Sequence, residues 1–151
     1  LRRGELPWNR AVEIARQLAE GLSYLHERDD PVIYRDLKPC NIRVGPKGNV
    51  KLLDLGCACG VSEAGYTMAG SRGYAAPEQL GSQNREGSGP VYRTRCGTGS
   101  DIYAWGRVLE EMLGGRQKVP SLMPLIEECT REDPRQRPQR MRDVLRELEK
   151  F

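Results

Sequence analysis

Asp36, Lys38, Asn41 and Asp54 are the residues whose types and spacing could do chemistry. The first three stand in the run Tyr34-Arg35-Asp36-Leu37-Lys38-Pro39-Cys40-Asn41, and the fourth opens Asp54-Leu55-Gly56. Between the two runs, Gly45-Pro46-Lys47-Gly48-Asn49 is dense turn chemistry. It separates Ile42-Arg43-Val44 from Val50 to Leu53, so 42–53 reads as a β-hairpin. Two carboxylates, an amide and a lysine thus meet at the open end of one hairpin. Phosphoryl transfer needs that inventory: a carboxylate to orient the attacking hydroxyl, oxygen ligands for Mg²⁺, and a cation for the phosphate in transit. An isolated Asp-x-x-x-x-Asn says little. Joined to Asp54 and to Ala76-Pro77-Glu78 downstream, it is specific.

The elements that must hold these groups are helical. After Pro7, the residues Trp8, Val12, Ala15, Leu18, Leu22 and Leu25 recur at steps of three and four, predicting a helix to about Arg28. Val32-Ile33 reads as a short strand. Ile102, Trp105, Val108, Leu109, Met112 and Leu113 predict a second long helix, capped by Ser100 or Asp101 and ended by Gly114-Gly115. A third carries Leu122, Leu125, Ile126 and Cys129, and a fourth Met141, Val144, Leu145 and Leu148. From Gly56 to Gly99 periodicity is weak, and 81–99, rich in Ser, Gly and Arg, reads as a flexible insertion. The fold class expected is mainly α, within the α+β family: a helical body with one small hairpin.

Composition removes several function classes. With 151 residues, 38% of them hydrophobic and 30% charged, the chain can bury a core but has no run long enough to span a bilayer. A net charge of +3 is too small to argue for nucleic acid. The five cysteines form no C-x-x-C pair, so reduced thiols in a cytoplasmic domain are expected rather than a zinc site or disulfide framework. His26, the only histidine, ends the first helix and reads as structural. Trp8 and Trp105 lie on apolar stripes and read as core. The arginines between Arg135 and Arg146 alternate with Asp143 and read as a solvated face.

On these motifs the chain resembles the carboxyl-terminal lobe of the catalytic domain of the eukaryotic-type protein kinase family, over nearly its whole length. Tyr34-Arg35-Asp36 is similar to the family's H-R-D loop, which implies Asp36 as catalytic base. Lys38 is implied at the γ-phosphate, as in Ser/Thr kinases, and Asn41 and Asp54 at Mg²⁺. The resemblance makes 54–78 the activation segment. Within it, Thr67 stands where many kinases are switched by phosphorylation, and Gly70-Ser71-Arg72-Gly73-Tyr74 is similar to the loop that receives the substrate residue. Asp101 is implied as the brace of the catalytic loop, and Arg137 as the partner of Glu78. ATP, Mg²⁺ and a Ser/Thr protein substrate follow as cofactors and partner, with a cytoplasmic location. The combination of Tyr-Arg-Asp with Gly-Tyr-Ala-Ala-Pro-Glu-Gln is most similar to bacterial members.

Some positions depart from the family pattern. No Gly-rich loop, lysine strand or partner glutamate helix precedes the catalytic loop here, so the amino-terminal lobe is expected to be missing from 1–151. Tyr34 replaces His, and Leu55 replaces Phe as an apolar plug. Arg43 stands where the family offers Leu or Met beneath adenine, and a guanidinium there either stacks on the base or weakens nucleotide binding. The fragment alone is expected to be inactive. A pseudokinase-like interaction module is the alternative from another class. A small-molecule phosphotransferase would lack the Ala-Pro-Glu segment and its arginine.

Overall fold

A computed structural model of the chain describes residues 6–64, 70–80, 96–115 and 119–151. The first helix, α1 (Trp8–His26), buries Ala11, Ile14, Ala15, Leu18, Ala19 and Leu22 along one stripe. Trp8 is a correction to the sequence reading. It is 52% exposed, because it opens the helix one turn ahead of Ala11, where the core begins. The second long helix, α3 (Thr98–Met112), crosses α1 with Trp105 fully buried, and its indole N–H donates to the Ala15 carbonyl at 2.8 Å. That bond satisfies the one polar atom of the largest core side chain. Neither Ser100 nor Asp101 caps α3. The helix starts at Thr98 behind Gly97 with no side-chain cap, and both residues are buried inside its first turn, engaged elsewhere.

Helices α4 (Met123–Cys129) and α5 (Met141–Leu148) close the body. Gly106 lets α4 come close: a Cβ there would stand 2.8 Å from Thr130 Cγ2 and 3.0 Å from Cys129 Cβ. Met141, Val144 and Leu148 of α5 join the same core as α1. A short helix, α2 (Pro77–Leu80), lies in a stretch whose sequence shows no period.

Two small antiparallel pairs position the candidate site. Strand β1 (Val32–Ile33) pairs with β4 (Cys59–Gly60), and β2 (Ile42–Val44) with β3 (Val50–Leu52), in register Ile42↔Leu52, Arg43↔Lys51 and Val44↔Val50. The hairpin is fastened to α1 by one amide: Gln17 donates to the Gly48 carbonyl at 3.2 Å and accepts from Val50 N–H at 2.8 Å. Among the described residues no helix is long and apolar enough to cross a membrane.

All five cysteines are free, in very different surroundings. Burial pushes the Cys96 thiol up to about 11 and that of Cys129 to about 12, while Cys40 is exposed. Thiolate is the reactive form. In a thiol-disulfide dye assay at pH 8, Cys40 is therefore expected to react at once, and Cys96 and Cys129 only after denaturant is added. A single rate for all five in native buffer would contradict this burial pattern.

Candidate active site

The loop from Tyr34 to Asn41 runs between β1 and β2 and is held from below by one carboxylate of α3. Asp101 Oδ2 accepts from Tyr34 N–H and Oδ1 from Arg35 N–H, each at 2.8 Å. His26 Nε2 lies 2.8 Å from Asp101 Oδ2, and since a carboxylate only accepts, that nitrogen carries the proton. Its Nδ1 is buried with no partner. The histidine is thus built into the brace and lies away from the loop's reactive groups. Arg35 has φ +67°, a left-handed conformation that costs an ordinary residue on the order of 1–3 kcal/mol and persists only where neighbours over-determine it. Asp101 does so from one side. From the other, Gln79 donates to the Arg35 carbonyl at 2.8 Å, and Arg35 Nε donates to the Cys57 carbonyl.

Tyr34 is fully buried and its hydroxyl donates to the Leu53 carbonyl, the residue just before Asp54. Burial, followed by the nearby Asp36 carboxylate, pushes its phenol far above the usual range, so Tyr34 stays a neutral donor. The same junction is tied again by Leu53 N–H to the Asn41 carbonyl at 2.8 Å. These two bonds bring Asp54 beside the loop from Tyr34 to Asn41. Asp54 itself has φ +58° and accepts from Gly56 N–H through Oδ1 at 3.0 Å.

Asp36 is buried, and both oxygens of its carboxylate accept hydrogen bonds. Oδ1 accepts from Ser71 Oγ at 2.9 Å. Oδ2 accepts from Lys38 Nζ at 2.8 Å and from Asn41 Nδ2 at 3.1 Å. Lys38 Nζ also donates to Ser71 Oγ at 2.6 Å, closing a ring of three side chains. The hydrogen bond to Asp36 holds the lysine above its ordinary range, so the ammonium is charged at any pH near neutrality. Asn41 Nδ2 donates to the Asp36 carbonyl at 2.9 Å, while its Oδ1 accepts a long bond from Cys40 Sγ at 3.8 Å, a weak thiol donor that a stronger partner can displace.

An amide oxygen on Asn41 and a carboxylate on Asp54 are hard donors. Mg²⁺ is commonly held by one or two such protein ligands together with substrate phosphates, so the donor set fits that ion. No group of three or more His, Cys, Asp or Glu able to hold a metal occurs among the described residues.

Glu78 and Arg137 meet in the core. Arg137 Nη1 reaches Glu78 Oε1 at 2.7 Å and Nη2 reaches Oε2 at 2.9 Å, with both side chains at most 1% exposed. The remaining guanidinium N–H groups go to the carbonyls of Gly99, Arg131 and Glu132, so all its donors are satisfied. The guanidinium also lies over the Tyr103 ring, 5.0 Å from its centroid. Ser100, expected at a helix cap, donates to Glu78 Oε1 at 2.9 Å instead.

Thr67 and most of the 81–99 segment lie outside the described residues. Leu55 is 59% exposed and plugs nothing in this chain. Arg43 and Lys51 are cross-strand neighbours, both exposed on the outer face of the hairpin. Sequence reasoning missed Gln79 and Ser100 as parts of the support, while His26, read as structural, is part of it through Asp101. Each acts through a contact far away in the chain, which local spacing cannot signal.

The sequence model of the protein kinase domain family matches residues 1–123. The chain belongs to the protein kinase family. Among similar proteins are the EPD1-interacting receptor-like cytoplasmic serine/threonine-protein kinase 5D of Gossypium barbadense, 39% identical over 119 residues, and the serine/threonine-protein kinase PBL35 of Arabidopsis thaliana, 39% identical over 125. These matches cover 76% and 79% of this chain but 24% and 23% of the relatives. The chain therefore spans about a quarter of the length of the curated relatives it matches. The expected likeness to bacterial members is not supported: these kinases are from plants. The helical body with its small antiparallel pairs agrees with the carboxyl-terminal lobe of a kinase domain.

Proposed function

We propose that this chain is the carboxyl-terminal lobe of a Ser/Thr protein kinase that transfers the γ-phosphoryl group of ATP to protein hydroxyls. The observation that carries the reading is the ring of Asp36, Lys38 and Ser71. It sets a carboxylate and a permanent cation side by side, at the start of the loop that leads to Asn41 and Asp54. Asp36 orients the acceptor hydroxyl and takes its proton. Lys38 offsets charge on the phosphoryl group in transit. Asn41 Oδ1 and Asp54 would hold Mg²⁺, which would offset the negative charge of the nucleotide phosphates. Residues 54–78 act as the activation segment, tied to the body through Glu78. The relative from Gossypium is named cytoplasmic, and the same location is proposed here.

A second reading, an interaction module without turnover, is favoured by one feature. Arg43 and Lys51 put like charges side by side on the hairpin, an arrangement that weakens a strand pair unless an anion offsets it. Titration calorimetry of ATP with and without Mg²⁺, on the full-length parent protein, separates the two. Under the kinase reading Mg²⁺ strengthens ATP binding, and Asp54→Asn removes most of that gain by taking one anionic oxygen from the metal. Failure of the unmodified protein to bind nucleotide would sink the kinase reading and leave the module.

A further inference from the structure

The turn from Gly70 to Ala75 lies against the loop that carries Asp36 and is fixed there from several sides. Ser71 Oγ donates to Asp36 Oδ1 at 2.9 Å, and the Ser71 carbonyl accepts from Tyr74 N–H at 3.1 Å and Ala75 N–H at 2.9 Å. The Tyr74 hydroxyl donates to Glu111 Oε2, and Arg107 Nε donates to the Gly73 carbonyl at 3.2 Å. Gly70, with φ +114°, packs so closely that a Cβ would stand 3.0 Å from the Arg35 carbonyl. One side chain of this turn is engaged by nothing. Arg72 is exposed and makes no hydrogen bond or ion pair with any described residue. The carboxylates that touch the turn or its supports are taken: Asp36 by Lys38 and Glu110 by Arg107, each at 2.8 Å, and Glu111 by Tyr74. Gly73, next to Arg72, stands in open space, with no heavy atom beyond its chain neighbours within 4 Å of where a Cβ would be.

We propose that Arg72 selects protein substrates carrying an aspartate or glutamate beside the acceptor residue. The inference rests on the reading of Asp36 as the base that receives the acceptor hydroxyl. A hydroxyl that reaches Asp36 comes in beside Ser71, and the Cα of Arg72 lies about 3.8 Å further along the chain. The residues flanking that acceptor therefore pass a guanidinium with no carboxylate of its own. Its planar fork of N–H donors matches a carboxylate.

The balance of charge at the site has the same sign. An acidic flank is repelled by Asp36, but Lys38 stands 2.8 Å from that carboxylate and offsets it. A basic flank meets Lys38 and Arg72 and finds no free acid, which disfavours it. The backbone that carries Arg72 is already fixed, so pairing orders one side chain and not a loop.

The test gives the full-length parent protein Mg·ATP and a degenerate peptide library with one fixed serine and no other hydroxyl residue. Mass spectrometry reads which residues flank the phosphorylated serine at low conversion. Aspartate and glutamate are expected to be enriched over asparagine and glutamine by about two- to fivefold, what an exposed ion pair is worth. The enrichment should fade as salt is raised. It is expected to vanish in Arg72→Gln, and in Arg72→Glu lysine and arginine should be enriched instead. That reversal separates recognition from a structural role, since a loosened turn would slow all peptides and reorder none. A library phosphorylated with no acidic preference overturns the proposal and leaves the kinase reading intact. So does an acidic preference that survives in Arg72→Glu. No phosphopeptide at all removes the kinase reading, and this proposal with it.

Discussion

Asp36→Asn is expected to lower turnover of the full-length protein by about 10²–10⁴-fold, the contribution a positioned general base makes, with Mg·ATP affinity kept. Asparagine keeps the size and planarity of the side chain. Its oxygen can still take the Lys38 ammonium that now lies 2.8 Å from Asp36 Oδ2. Its NH₂ then faces Ser71 Oγ, which can turn from donor to acceptor. The ring of three side chains therefore survives, and folding should be unaffected. What is lost is the ability to receive a proton and the charge that steadies it. Steady-state kinetics beside a thermal melt decide the matter. A variant as active as the parent would show that Asp36 is not the base, and a lowered melting temperature with normal turnover would make it structural.

Arg137→Ala is expected to destabilise the domain by about 3–5 kcal/mol, the usual cost of stranding one charge of a buried pair. For a chain of this size that corresponds to a melting temperature lower by roughly 6 to 20 °C. The effect is large because the guanidinium serves more than Glu78. It also gathers the carbonyls of Gly99, Arg131 and Glu132, joining the start of α3 to the turn before α5. Arg142→Ala is the comparison, since its pair with Glu27 stands in solvent at the surface, where screening leaves an ion pair little to contribute. A melt of Arg137→Ala that overlays the parent would dismiss the network as a stability element.

The long helices were legible because an apolar stripe repeats at the helical period, and the buried faces of α1 and α3 follow it. The hairpin was legible because five turn-forming residues interrupt two apolar runs, and the observed register centres on that turn. Strand β4 was not, since two residues carry no alternation and Cys59-Gly60 has no strand propensity to speak of. Its pairing with β1 is imposed by the chain returning past Ile33. Trp8 misled because a periodic pattern says which face is apolar but not where the core stops. Ser100 misled for a related reason: a hydroxyl near a helix start is a cap only if nothing stronger claims it, and Glu78 does. Reactive residues cluster locally and were visible. Of their supports from across the fold, Asp101 and the pair of Glu78 with Arg137 came only through the family resemblance, and Gln79 and the bond of Ser100 to Glu78 came through nothing in the sequence.

Asp101 also sets an order of events during synthesis. The loop it braces leaves the ribosome first, and the carboxylate is added 66 residues after Arg35. At 5–20 residues per second, that interval lasts roughly 3 to 13 s. Until it ends, the two amides of Tyr34 and Arg35 have no anchor, and nothing on that side holds Arg35 in its left-handed turn. The nascent chain therefore carries the residues of the site without the geometry. A ribosome-bound product stopped short of Asp101 would have every group assigned to catalysis and no means of aligning them, so competence arrives late, with α3, and all at once.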